Sequence, residues 1–426
     1  MINNYNNSIS YFKDYSFWIL FIIFFTSGYV FFKIPFEFYF HYFILFPLTF
    51  YWIIQYGLPK FYFKVFTIPF IIGLIHIGIG NNDIFTFFKI FGGLSVTLLF
   101  FYYVFILYEF DNFKVFEIYC LACWVLCIIA FIQIISFFIG FKPGYNFSWI
   151  LNKWGFVSGG IIGFRVNSIL PEPTYLATSL SPAVYVSINN LFSKKNMIFS
   201  NFQSILVIVT SILTTSTIGY LGIIISIILS LDYLRLRYIL IALLIAIGGY
   251  MVAYENVSDF SNRVNSAKGL WIEKDFNINN TNNSSFVLYN NLHIAKENLK
   301  KHPFFGTGLG SHESAFKKYT LTKSLIKYNF EFNIKDGNSL FVRLCTETGL
   351  VGIGFIIIMI FNGFIFKINS NKNELLKYKI ISQALFVVIF LVLIRQGNYM
   401  LNGLPMIFLL YYLNGNQYRS KLNLFE

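Results

Sequence analysis

The sequence predicts an all-α fold: a polytopic helical integral membrane protein of about twelve transmembrane helices with one large outward-facing loop. Two observations predict it. The first is composition: 56% of the residues are hydrophobic, 21% aromatic and only 12% charged, against about 25% charged in a soluble domain. A core cannot absorb that much apolar surface in a chain of this size, whereas a bilayer can. The second is spacing. Apolar runs close to the length of a membrane span recur along the chain, and only residues 142–171 and 256–338 form long polar stretches.

In chain order, the expected spans are residues 15–32, 38–54, 63–79, 88–107 and 117–141. The first long polar loop follows. Residues 173–192 come next and are less hydrophobic than the other runs. Residues 204–231 are long for one span and carry a polar knot, Thr214-Thr215-Ser216-Thr217-Ile218-Gly219, so two short helices are expected to meet there. Residues 236–253 precede the second polar loop, and residues 339–366, 378–394 and 399–413 close the set. The expected organisation is N-terminal spans over 1–141, the first outer loop with central spans over 142–254, the large loop over 255–338, and C-terminal spans with a tail over 339–426.

The formal net charge is +13. In a soluble chain such a balance points to nucleic acid; here it follows the positive-inside pattern, and no nucleic-acid partner is expected. Lys13, Lys60, Lys114, Lys377 and Lys421 are among the many cations of one set of short loops, while the opposite set holds only Lys33, Lys89 and Arg395. Cytoplasmic termini and outward-facing long loops are therefore expected. Cys120, Cys123, Cys127 and Cys345 all fall in apolar runs, so buried thiols are expected rather than disulfides or a metal site. The N-terminus lacks a basic n-region and a small-residue cleavage site, and no cleaved signal is expected.

Three constellations stand out. In Pro171-Glu172-Pro173-Thr174-Tyr175, two prolines fix the backbone around a carboxylate at the mouth of a span. The bland alternative is a helix N-terminus stabilised by an acid. Arg165 lies seven residues upstream, and an Arg with a Glu at a membrane mouth suits an anionic lipid-linked substrate. The second constellation is His302-Pro303-Phe304-Phe305-Gly306-Thr307-Gly308-Leu309-Gly310, a Gly-rich turn without a Walker lysine or a Rossmann context. It reads either as a phosphate cradle or as a turn returning to the membrane surface. His293, His302 and His312 fit no zinc spacing, and no metal is expected. The third constellation is Asp336-Gly337-Asn338, which opens the apolar run 339–366. Within that run Arg343 and Glu347 are four apart and share a helical face. Arg263 and Arg395 add isolated cations near the outer side; several arginines around one cavity suit a diphosphate.

Together these residues resemble the O-antigen polymerase and O-antigen ligase superfamily, the Wzy-type bacterial polysaccharide polymerases. The resemblance rests on the span layout, on Arg165 followed by the Pro-Glu-Pro element, and on the Gly-rich turn. It rests further on Asp336-Gly337-Asn338, on Glu347-Thr348-Gly349-Leu350-Val351-Gly352, and on the Ser/Thr-rich knot. It covers residues 163–354; the N-terminal spans match only in hydropathy. It implies a metal-independent glycosyltransferase of the bacterial inner membrane, without cofactor, acting on undecaprenyl-pyrophosphate-linked oligosaccharides. A chain-length regulator is a further expected partner besides the bilayer. Ligases of the superfamily carry a histidine directly before the Asn of the third motif; here Gly337 stands there, which favours polymerase. In this reading Glu172 is the first choice as base and Asp336 the second. Arg165 and Arg263 hold the pyrophosphate, with Arg343 and Arg395 in reserve, and Asn338 and His302 complete the substrate-binding set. The alternatives are a ligase transferring glycan to lipid A-core, a flippase for the lipid-linked sugar, and a non-catalytic scaffold. A flippase is expected to show paired repeats and broken midplane helices, and no repeat is visible.

Overall fold

The structure, a computed structural model, describes residues 2–422 apart from 34–35, 194–195, 232–247, 249–250, 252–253, 257, 274–281, 325–331 and 369–372. For residues 2–12, 258–260, 263, 373 and 401 it describes the backbone alone. The expected span at 236–253 lies almost entirely outside the described residues. The fold is helical, with one two-stranded antiparallel pair.

The N-terminal half comprises α1 (Ile2–Phe25), β1 (Val30–Phe32), β2 (Phe38–Tyr39), α2 (Tyr42–Tyr56), α3 (Lys60–Gly78), α4 (Ile84–Leu107) and α5 (Asn112–Phe138). Polar caps start the long helices in register. Asp83 accepts from the Thr86 amide at 2.8 Å ahead of α4, and Asp111 accepts from the Lys114 amide at 3.0 Å ahead of α5. After a short α6 (Lys142–Tyr145) come α7 (Pro173–Ser193), α8 (Asn201–Leu213) and α9 (Thr217–Leu229). Then follow α10 (Ser258–Lys268), α11 (Asn283–Lys301), α12 (His312–Tyr319), α13 (Leu340–Glu347), α14 (Gly349–Gly363), α15 (Asn373–Arg395) and α16 (Leu404–Leu422).

Among the described residues, four helices are long and apolar enough to cross a membrane: Lys60–Gly78, Ile84–Leu107, Asn112–Phe138 and Glu374–Arg395. Four shorter apolar helices accompany them. Large apolar side chains cover the outside of α3, among them Phe63, Ile68 and Ile71, a surface that suits lipid rather than water.

A helix rich in Ser, Thr and Asn is almost fully buried. α7 buries Thr178, Ser179, Ser181, Ser187, Asn189 and Asn190, and packs on α8, α9 and α15. Some of its polar groups find partners within the bundle: the Tyr185 hydroxyl donates to Gln383, and Asn190 donates to the Phe199 carbonyl at 3.1 Å. Facing helices, and not lipid, satisfy such groups.

Contacts far apart in sequence mark two ends of the bundle. At one end Lys13 pairs with Glu109, and Asn112 donates to Gln417. At the other, the strand pair, the loop 142–171 and the turn 332–338 come together. The knot separates α8 from α9 at Thr214–Ser216, with Thr215 in the left-handed region at φ 44°. Thr214 faces Arg165 at the cleft end, whereas Ser200 lies by the C-terminal turns of α7, so α8 and α9 form a hairpin as expected.

The apolar run 339–366 is not one helix. It breaks at Thr348, leaving α13 as a separate eight-residue helix. The Gly-rich turn is wedged into the break. Leu350 and Val351 donate to the Pro303 and Phe304 carbonyls at 2.8 and 3.0 Å, and Thr307 and Gly308 donate to the Thr346 and Glu347 carbonyls at 3.1 and 2.9 Å. Backbones meet so closely that a Cβ on Gly306 would lie 2.6 Å from the Thr346 carbonyl oxygen. Arg343 and Glu347 therefore sit on a short buried helix near the cleft end, and not within a long span as the sequence implies.

Candidate functional site

Three breaks in the helical pattern converge on one cleft. Glu172 precedes α7, and its carbonyl accepts from the Tyr175 amide at 3.1 Å, starting the helix while its side chain stays exposed. Asp336 and Asn338 come from the turn ahead of α13. Arg395 and Gln396 come from the end of α15. All five residues, with Tyr175, line a cleft of about 240 Å³. Glu172 also lies within electrostatic range of Arg395. The structure thus brings together four residues selected from sequence: Glu172, Asp336, Asn338 and Arg395.

The turn is held tightly. Asp336 Oδ1 accepts from the Asn338 amide at 3.1 Å and from Asn333 Nδ2 at 3.0 Å. Gly337 and Asn338 are both left-handed, at φ 63° and 57°. Gly397 presses against this turn, so that a Cβ there would lie 1.7 Å from the Asp336 carbonyl oxygen. By contrast, the Glu172 carboxylate carries no hydrogen bond or ion pair among the described residues.

Beneath the cleft, Arg343 and Glu347 are buried and paired at 2.8 Å. Arg343 also donates to the Gly397 carbonyl at 2.8 Å and stacks 4.2 Å from the Tyr399 ring centre. The Tyr399 hydroxyl donates to Glu347 at 2.9 Å. This network ties the loop after α15 to α13 and so fixes the positions of Arg395 and Asp336. His312 supports the turn from behind. Its ring nitrogens face Asn291 Oδ1 at 3.0 Å and Thr346 Oγ1 at 3.1 Å. Burial, reinforced by the nearby Arg343 charge, depresses its pKa to about 3. A Cβ on Gly337 would lie 3.0 Å from His312 Nε2.

A second cleft of about 500 Å³ shares Tyr175 and Asp336 with the first. Lys33, Glu37, Tyr39, Lys89, Lys153, Lys335 and Arg343 line it beside Phe36, Phe46 and Phe88. Glu37 accepts from Lys153 and from Tyr39, both at 2.5 Å. Burial raises the Glu37 pKa, but these two donors outweigh it and hold the carboxyl below its ordinary value.

The other expected residues lie elsewhere. Arg165 donates to the Thr214 carbonyl at 3.2 Å, beside the knot, and lines neither cleft. His302 ends α11 and meets His76 edge to face at 5.5 Å. The side chain of Arg263, on α10, lies outside the described residues. Among the described residues, no three His, Cys, Asp or Glu side chains group as metal ligands. Sequence reasoning missed Tyr175, Glu37, Lys153 and Lys335 as cleft residues, and took Lys33 and Lys89 only as markers of sidedness. The signal available was the rarity of cations in one set of short loops: Lys33, Lys89 and Arg395 all line one cleft or the other.

No protein-family model matches the chain, and no curated protein matches it.

Proposed function

We propose that this chain is a Wzy-type polysaccharide polymerase, a metal-independent glycosyltransferase that joins undecaprenyl-pyrophosphate-linked oligosaccharides at the outer face of the bacterial inner membrane. About twelve spans carry it, with termini in the cytoplasm. The observation that supports this most is the first cleft, where two carboxylates, an amide and an arginine meet at the end of an apolar helical bundle.

The chemistry asks for what the cleft holds. An acceptor sugar hydroxyl attacks the anomeric carbon of the donor glycan. The bond from that carbon to the pyrophosphate oxygen breaks, and the lipid diphosphate leaves with the electron pair. Glu172, whose carboxylate is uncommitted, takes the hydroxyl proton. Asp336 has one oxygen committed to its own turn and serves as a positioning group. Arg395, in the same cleft and within electrostatic range of Glu172, binds the glycan. Arg343, locked in the buried pair, shapes the site.

The test uses purified protein and lipid-linked oligosaccharide extracted from cells lacking the gene. Wild type is expected to lengthen the glycan in the presence of a chelator, and Glu172→Gln to be slower by about a hundredfold. Unchanged glycan length with wild type would refute polymerase activity.

A further inference from the structure

We infer that the lysine-lined cleft seats the diphosphate head of a lipid, with Lys33, Lys89 and Lys335 as its anion-binding groups. This rests on the polymerase reading for which lipid is bound. It differs from the sequence expectation, which gave the pyrophosphate to Arg165 and Arg263.

The argument starts from charge. Five cations and two carboxylates line this cleft. Lys153 is taken up by Glu37, and Arg343 by Glu347. Asp336 is held in its own turn. Among the described residues Lys33, Lys89 and Lys335 have neither ion pair nor hydrogen bond. Lys89 lies within electrostatic range of Lys335 and Arg343, which repel it, and of Glu37 and Glu313, which attract it. Collecting like charges around a concave surface is unfavourable unless an anion shares the space. A diphosphate brings several acceptor oxygens to such a cluster.

The walls add the second half. Phe36, Phe46, Phe88, Ile90 and Met400 line the same cleft. A cavity of about 500 Å³ that combines cations with aromatic rings in its lining fits an amphiphile rather than a free anion. Tyr175 and Asp336 form the wall common to both clefts. A diphosphate on the lysines therefore places the glycan it carries at that wall, beside Asp336 and toward Glu172. The cleft positions the leaving group, and the first cleft works on the sugar.

The experiment measures binding by the full chain in lipid nanodiscs, with no turnover required. Three probes are compared: geranylgeranyl diphosphate, geranylgeraniol and inorganic pyrophosphate. The diphosphate lipid is expected to bind tightest, and Lys89→Gln and Lys335→Gln each to weaken it about tenfold. Lys89→Arg should retain binding, which separates lost charge from lost folding. Lys367→Gln, outside both clefts, should match wild type. Equal affinity for pyrophosphate and the diphosphate lipid would overturn the lipid assignment. Equal affinity for geranylgeraniol, or unchanged binding in Lys89→Gln and Lys335→Gln, would overturn the anion assignment. Binding that follows this pattern in a chain that makes no polymer would refute the polymerase and leave this site standing. Polymer made normally by a chain carrying both Lys89→Gln and Lys335→Gln, with unchanged binding, would refute this site and leave the polymerase standing.

Discussion

Gly337 shows at the scale of one residue how the candidate site is built. Its φ of 63° and the His312 ring 3.0 Å from any added Cβ both exclude a side chain. Gly337→Ala should therefore destabilise the protein by about 1–3 kcal/mol, measured as a shift in melting temperature in detergent. His312 gives a pH signature. Its pKa falls from 6.5 to about 3 in the folded state, so the unfolded chain binds the extra proton first. Stability is whole above pH 6.5 and declines as pH falls from there toward 3. At pH 5 the loss from this group is about 2 kcal/mol. His312→Gln should flatten the fall of melting temperature between pH 7 and pH 5; an unchanged slope would mean that other groups dominate. Glu172, Asp336, Asn338 and Arg395 were legible because each interrupts an apolar pattern with a polar group at a span's mouth. Lys33 and Lys89 were not, since single cations at helix ends are ordinary in a membrane protein and only tertiary contact reveals their company.

At the scale of elements, the hairpin of α8 and α9 was readable because a run of hydroxyl residues interrupts an apolar stretch. Each of its helices has 13 residues, about 20 Å of length, short of the roughly 30 Å of a hydrocarbon core. The break between α13 and α14 was harder to read. Thr346-Glu347-Thr348-Gly349 interrupts the apolar run only briefly, and the break is held open by a turn about forty residues earlier in the chain. Of the two readings of the Gly-rich turn, the phosphate cradle finds its space taken by backbone of the same chain. Gly306→Ala should cost about 2 kcal/mol or more and lower the melting temperature, because a Cβ there meets the backbone of Thr346 and Glu347 at 2.6 Å. Arg343→Ala should cost about 3–5 kcal/mol, since it leaves Glu347 buried without its partner.

For the whole molecule, the two ends carry the account. The clefts and the cations Lys33, Lys89 and Arg395 share one end. Lys377, Lys421 and Asn112 meet at the other. The four native cysteines are buried, so a cysteine placed at exposed Ser148 or Ser420 reports alone. In intact spheroplasts a membrane-impermeant maleimide should label Ser148→Cys and spare Ser420→Cys. Labelling of both or the reverse pattern would overturn the orientation. The most direct test of the central claim is a surface-glycan gel from cells lacking the gene, complemented with wild type or with Glu172→Gln. Wild type should restore a ladder, and Glu172→Gln should leave lipid A-core bearing a single repeat. A normal ladder from Glu172→Gln would contradict the assignment of the base. Bare core with long polymer still on its lipid carrier would contradict the polymerase itself and point to a ligase.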